Sequence, residues 1–85
     1  MGKLDGKVAV ITGAASGMGA STARLFVSEG AQVLVTDMDV RRGQAVANEL
    51  GSAAQFCPSD VSKEDDVAQA IEQATSKWGR LDVMF

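Results

Sequence analysis

Val8-Ala9-Val10-Ile11-Thr12-Gly13-Ala14-Ala15-Ser16-Gly17-Met18-Gly19 is the stretch on which the fold turns. Val8 to Ile11 is an unbroken apolar run, the pattern of a strand in a parallel sheet covered on both faces. The run ends at Thr12-Gly13 and opens a turn with glycines at 13, 17 and 19. Glycine takes positive φ without strain and lets another group approach the backbone closely. A helix is expected from about Gly17 to Glu29, so its free amides and the positive end of its dipole face the turn. That combination suits a pyrophosphate. The spacing is G-x-x-x-G-x-G, not the common G-x-G-x-x-G. No Lys-Ser or Lys-Thr follows the turn, which argues against a triphosphate-binding P-loop.

Downstream, the alternation of strand and helix repeats. Gly30 stands where a helix end calls for a left-handed residue. Gln32 to Thr36 is a second apolar run, ending at Asp37. A second helix is predicted from about Val40 to Leu50, with Ala45, Val46, Ala47 and Leu50 near one face and Gly51 just beyond it. Ala53 to Cys57 reads as a third strand ended by Pro58. Ser62-Lys63-Glu64-Asp65 resembles a capping box with Asp in place of Glu. The third helix, about Lys63 to Trp78, carries Val67, Ile71, Ala74 and Trp78 as one stripe. Gly79 closes it, and Leu81 to Phe85 reads as a fourth strand. The β-α-β-α-β-α-β order predicts a doubly wound, Rossmann-type parallel sheet with right-handed crossovers, comprising four strands and three helices.

Asp37 supports the pyrophosphate reading. It lies 37 − 17 = 20 residues after Gly17, where a dinucleotide site places the acceptor for its ribose hydroxyls. A carboxylate there repels a 2′-phosphate, which favours NAD over NADP.

Composition excludes other chemistries. The 85 residues include 8 Lys+Arg and 11 Asp+Glu, a net charge of −3, with one Cys and neither His nor Tyr. Histidine bases, histidine-ligated metals and tyrosine acids are therefore absent, and one Cys makes no internal disulfide. The acidic balance argues against nucleic-acid binding. No apolar run approaches the roughly 20 residues of a membrane span, and no targeting signal is visible, so a cytoplasmic location is expected. Phe26 and Trp78 read as core residues and Cys57 as a small apolar one. Glu64-Asp65-Asp66 suits a helix dipole rather than a metal.

Thr12 to Gly19 resembles the T-G-x-x-x-G-x-G cofactor motif of the classical short-chain dehydrogenases/reductases. Leu4 to Ile11 is similar to that family's lead-in, Asp60-Val61 to its Asp-hydrophobic pair, and Leu81-Asp82-Val83 to its fourth strand. The resemblance implies roles. Gly13, Gly17 and Gly19 would shape the pyrophosphate turn, and Ser16 and Met18 would line it. Asp37 would hold the adenosine ribose beside Met38. Asp60 would accept from the adenine amino group, with the Val61 amide next to it. NADP-preferring members carry a basic residue at the position of Ser16 or Met38, which agrees with NAD as cofactor. Arg41 and Arg42, slightly later, leave room for mixed cofactor use.

The implied activity is hydride transfer between a nicotinamide cofactor and a small-molecule secondary alcohol or ketone, in a homo-oligomer. The family's catalytic Ser, Tyr and Lys follow the fourth strand. Residues 1–85 are thus expected to be the N-terminal part of a single NAD-binding domain. Alone they should bind NAD or AMP weakly, turn nothing over and tend to aggregate. Two other readings compete. One is a non-catalytic nucleotide-binding or interaction module that works at this length. The other is a methyltransferase-type domain, which usually has denser glycines and lacks the Thr-Gly start and the Asp60-Val61 pair.

Overall fold

A computed structural model describes residues 3–60 and 63–84, with Val83 and Met84 described by their backbone alone. The elements run β1 (Val8–Ile11), α1 (Gly17–Ser28), β2 (Gln32–Asp37), α2 (Val40–Leu50), a 3-10 turn (Gly51–Ala53), β3 (Ala54–Pro58), α3 (Glu64–Trp78) and β4 (Val83–Met84). The four strands form one parallel sheet in the order β3-β2-β1-β4. The order reverses between β1 and β4, because β3 lies on one side of the first strand and β4 on the other. In open α/β sheets, ligands bind beyond the carboxyl ends of the strands at such a switch point.

The apolar run of β1 is buried at every position, as a strand covered on both faces requires. Ile11, Val33 and Val35 face Ala20 and Ala23 of α1 and Val46 and Ala47 of α2. Val8, Val10, Leu34 and Cys57 face Ala70 and Ala74 of α3, with Trp78 and Leu81 packed alongside. Small residues dominate the helix sides of both clusters, so the helices sit close to the sheet. Gly43 is the extreme case, since a Cβ there would run into the ring of Phe56 on β3.

Most boundaries agree with the sequence to a residue or two. Two details differ. Ala45 is exposed, and Gly43 takes its place on the buried face of α2. The N-cap of α3 is Lys63, whose side chain makes no capping bond. The expected capping residue Ser62 lies outside the described residues. Gly30, Gly51 and Gly79 all have positive φ at helix ends, as expected of residues that terminate helices.

Asp82 secures the start of β4. Its amide donates to the Val8 carbonyl at 2.9 Å, and its Oδ2 accepts from the Val8 amide at 2.8 Å. Arg80 donates to the other oxygen at 2.6 Å. A side chain thereby satisfies a main-chain donor at the end of the ladder.

Candidate nucleotide-binding site

The turn between β1 and α1 is built by its own residues. Gly13 has φ +63, a conformation that side chains bearing a Cβ rarely adopt. Ser16 caps α1: its Oγ accepts from the Gly19 amide at 3.1 Å and donates to the Gly13 carbonyl at 2.8 Å. This cap leaves the Gly17 and Met18 amides at the helix start with no carbonyl inside the helix to meet. Gly19 faces inward. A Cβ there would collide with the Gly13 carbonyl and crowd Ala14 Cα. The glycine therefore lets the helix lie against the strand end. Gly13 and Gly17 face outward, where an added Cβ would meet nothing within 4 Å. The open space, the bare backbone and the helix start together fit a pyrophosphate.

The ends of β1 and β2 are tied together. The Ala14 amide donates to the Thr36 carbonyl at 3.0 Å, and the Ala15 amide donates to Asp37 Oδ2 at 3.0 Å. Asp37 Oδ1 accepts from the Asp39 amide at 2.8 Å. Each carboxylate oxygen has two acceptor positions, so both keep one for another donor. The bonds therefore orient Asp37 without exhausting it.

Next to Asp37 is a cavity of about 130 Å³ lined by Gly13, Asp37, Met38 and Ser59. Met38 stands 69% exposed at its rim. Ser59 is buried, and its amide donates to the Asp37 carbonyl at 3.2 Å, extending the β2–β3 ladder by one bond. Asp60 follows directly, half-buried. The structure thus gathers Gly13, Ser16, Gly17, Met18, Gly19, Asp37, Met38 and Asp60 at the carboxyl ends of β1, β2 and β3. Val61 lies outside the described residues.

Sequence reasoning missed Ala15 and Ser59. Both act through backbone amides, which leave no mark on residue type. The only signal was position, within the glycine turn and just before Asp60.

Arg42 lines a groove between α1 and α2 that reaches Ser16 and Gly17. Its amide donates to Asp39 Oδ1, and its guanidinium lies 4.0 Å from the same carboxylate. Arg24, which lines the same groove, is paired with Glu49 at 2.6 Å. Both cations thus face carboxylates. A larger groove of about 520 Å³ lies between α3 and the β3 edge. It is open, away from the carboxyl ends of the strands, and lined by Gln55, Gln69, Glu72, Gln73, Ser76 and Lys77. Burial pushes the Cys57 thiol above its ordinary range, which disfavours the reactive thiolate. Among the described residues no acidic or thiol cluster could hold a metal ion, and no helix is long and apolar enough to cross a membrane.

Sheet order, glycine turn and acid-tipped second strand define a Rossmann-like nucleotide-binding fold. More narrowly, residues 7–85 match the family model described as short chain dehydrogenase, and the chain belongs to that family of oxidoreductases. It is 52% identical over 83 residues to tropinone reductase-like 1 from Erythroxylum coca, covering 98% of this chain and 30% of that protein. It is 54% identical over 84 residues to momilactone A synthase from Oryza sativa subsp. japonica, covering 98% of this chain and 31% of that protein. Among solved structures, 3-ketoacyl-(acyl-carrier-protein) reductase from Brucella melitensis, complexed with NADH, superposes with a TM-score of 0.93 at 46% identity. That match covers 96% of this chain and 34% of the reductase. A short chain dehydrogenase/reductase from Burkholderia phymatum in complex with NAD gives 0.93 at 32% identity, covering 100% of this chain and 31% of the other. The chain thus spans about 30% of the length of the curated relatives it matches.

Proposed function

We propose that this chain is the dinucleotide-binding segment of an NAD-dependent oxidoreductase that interconverts a secondary alcohol and a ketone. The observation that carries the reading is the open backbone at Gly13 and Gly17 beside the Asp37 carboxylate, which the Ala15 amide fastens to the same turn. Gly13, Gly17 and Gly19 shape the turn for the pyrophosphate, with Ser16 as its cap and Met18 supplying a backbone amide. Asp37 accepts from the ribose hydroxyls. Met38 covers the purine, and Asp60 accepts from its amino group, with the Val61 amide beside it. When bound, NAD supplies the carbon that takes up or gives back a hydride. The residues named here bind and orient.

Proton transfer is assigned elsewhere. The 85 residues contain no Tyr or His, so in this proposal they bind without turnover, and the groups that handle the substrate lie outside this sequence. Preference for NAD follows from charge. Asp37 faces the ribose edge where NADP carries its phosphate, while Arg42 and Arg24 already face Asp39 and Glu49.

NMR titration of the ¹⁵N-labelled chain with AMP, NAD and NADP tests this reading. AMP and NAD should shift the amides of residues 13–19 and 37–38. NADP should bind about tenfold more weakly, the order expected from one added like-charge contact. Shifts confined to the α3–β3 groove, or none at millimolar ligand, would overturn it.

A further inference from the structure

We infer that Asp66, in the first turn of α3, is a positioning residue for the adenine end of the site. Its carboxylate holds the main chain of Asp60 where that residue meets the purine. The inference rests on the proposed function, which assigns Asp60 to the adenine.

The geometry is specific. The Asp60 amide donates to Asp66 Oδ2 at 2.9 Å. The Asp60 carbonyl accepts from the Lys63 amide at 2.9 Å. One residue earlier, the Ser59 amide donates to the Asp37 carbonyl at 3.2 Å. These bonds fasten the exit of β3 to β2 on one side and to α3 on the other.

Asp66 is the third residue of its helix. In a capping box an acid at that place reaches back to the N-cap amide. Here it reaches past the cap, Lys63, to an amide six residues upstream. Its neighbours differ. Glu64 and Asp65 share the first turn and are exposed, whereas Asp66 is half-buried. Complementing the helix dipole requires only a nearby negative charge, which Glu64 and Asp65 already supply. The Asp66 carboxylate is directed at the strand end, and so at the ligand side of the sheet.

The experiment compares NAD with nicotinamide hypoxanthine dinucleotide, in which a carbonyl replaces the adenine amino group. A carboxylate at Asp60 accepts from the amino group and repels the carbonyl. Affinities for both are measured by NMR titration of the 85-residue chain and of Asp66→Ala, Asp66→Ser and Asp66→Asn, with an unfolding midpoint for each. The unsubstituted chain should prefer NAD by about fivefold, the order of one net hydrogen bond. Asp66→Ala should bring the ratio close to one. Asp66→Asn retains an amide oxygen that accepts, and should keep most of the preference. If Asp66→Ala does not fold, Asp66→Ser makes the same comparison. A truncated variant that keeps the fivefold preference overturns the inference, whatever its unfolding midpoint. A ratio near one in the unsubstituted chain overturns the Asp60 assignment itself, and this inference with it.

Discussion

The Ala15 amide donates to Asp37 Oδ2 at 3.0 Å, joining the glycine turn to the tip of β2 across 22 positions of sequence. One carboxylate thus braces the turn proposed to take the pyrophosphate and stands beside the cavity proposed to take the ribose and purine. Asp37→Ala should cost both contributions. A hydrogen bond to a charged group is worth about 1.5–3 kcal/mol, so loss of the ribose contact by itself should lower NAD affinity by about 10- to 150-fold. Calorimetric titration measures the loss. Amide exchange at Ala15 should accelerate in the same variant, and unchanged exchange would remove the bracing role.

Gly17 and Gly19 separate ligand approach from packing. Gly17→Ala places a methyl group in open space at a helical position, so its urea midpoint should equal or slightly exceed the parent's, while binding of NAD or AMP is lost. Gly19→Ala drives a methyl group into the Gly13 backbone and should destabilise the fold by about 1–3 kcal/mol. A Gly17→Ala chain that binds normally would show that no ligand approaches that backbone.

The Asp82 carboxyl is held below its usual range, first by the Arg80 guanidinium and then by the Val8 amide. Its folded pKa is lower than its unfolded one. Its contribution to stability is therefore complete above the unfolded value and is lost as pH falls through the folded value. The window lies below about pH 4. Asp82→Asn should flatten the fall of stability across that range, read from urea midpoints at pH 5, 4 and 3. Parallel acid limbs in the two proteins would remove Asp82 as the cause.

Gly43 is buried where α2 crosses Phe56. Alanine normally favours a helix interior by about 1 kcal/mol over glycine. Here the added methyl group meets the Phe56 ring, so Gly43→Ala should instead lower stability by about 1–3 kcal/mol. Thermal unfolding decides the sign, and a raised midpoint would mean the ring moves aside freely.

Much of this architecture could be read from the sequence because its signals are local. The apolar run at Val8–Ile11 specifies a strand buried on both faces, and Gly13 after it takes a positive φ that residues with a Cβ rarely adopt. The acid at the end of the next strand completes the pattern. Helix ends were legible from Gly30, Gly51 and Gly79 for the same reason. Ala45 misled, because helical periodicity identifies an apolar face without saying how closely the sheet approaches it. At position 43 a Cβ would run into the Phe56 ring.

The chain's own order of residue types thus determined the alternation of strands and helices, the bare backbone of the turn and the placing of Asp37 at the end of β2. The folded structure alone decided which donors those carboxylates meet. Ala15 reaches Asp37, Asp60 reaches Asp66, and Val8 reaches Asp82 across 74 positions. Backbone amides are the same in every residue but proline, so composition and spacing carry no record of where they point. Their directions follow from the strand order β3-β2-β1-β4, which brings distant strand ends together at both rims of the sheet.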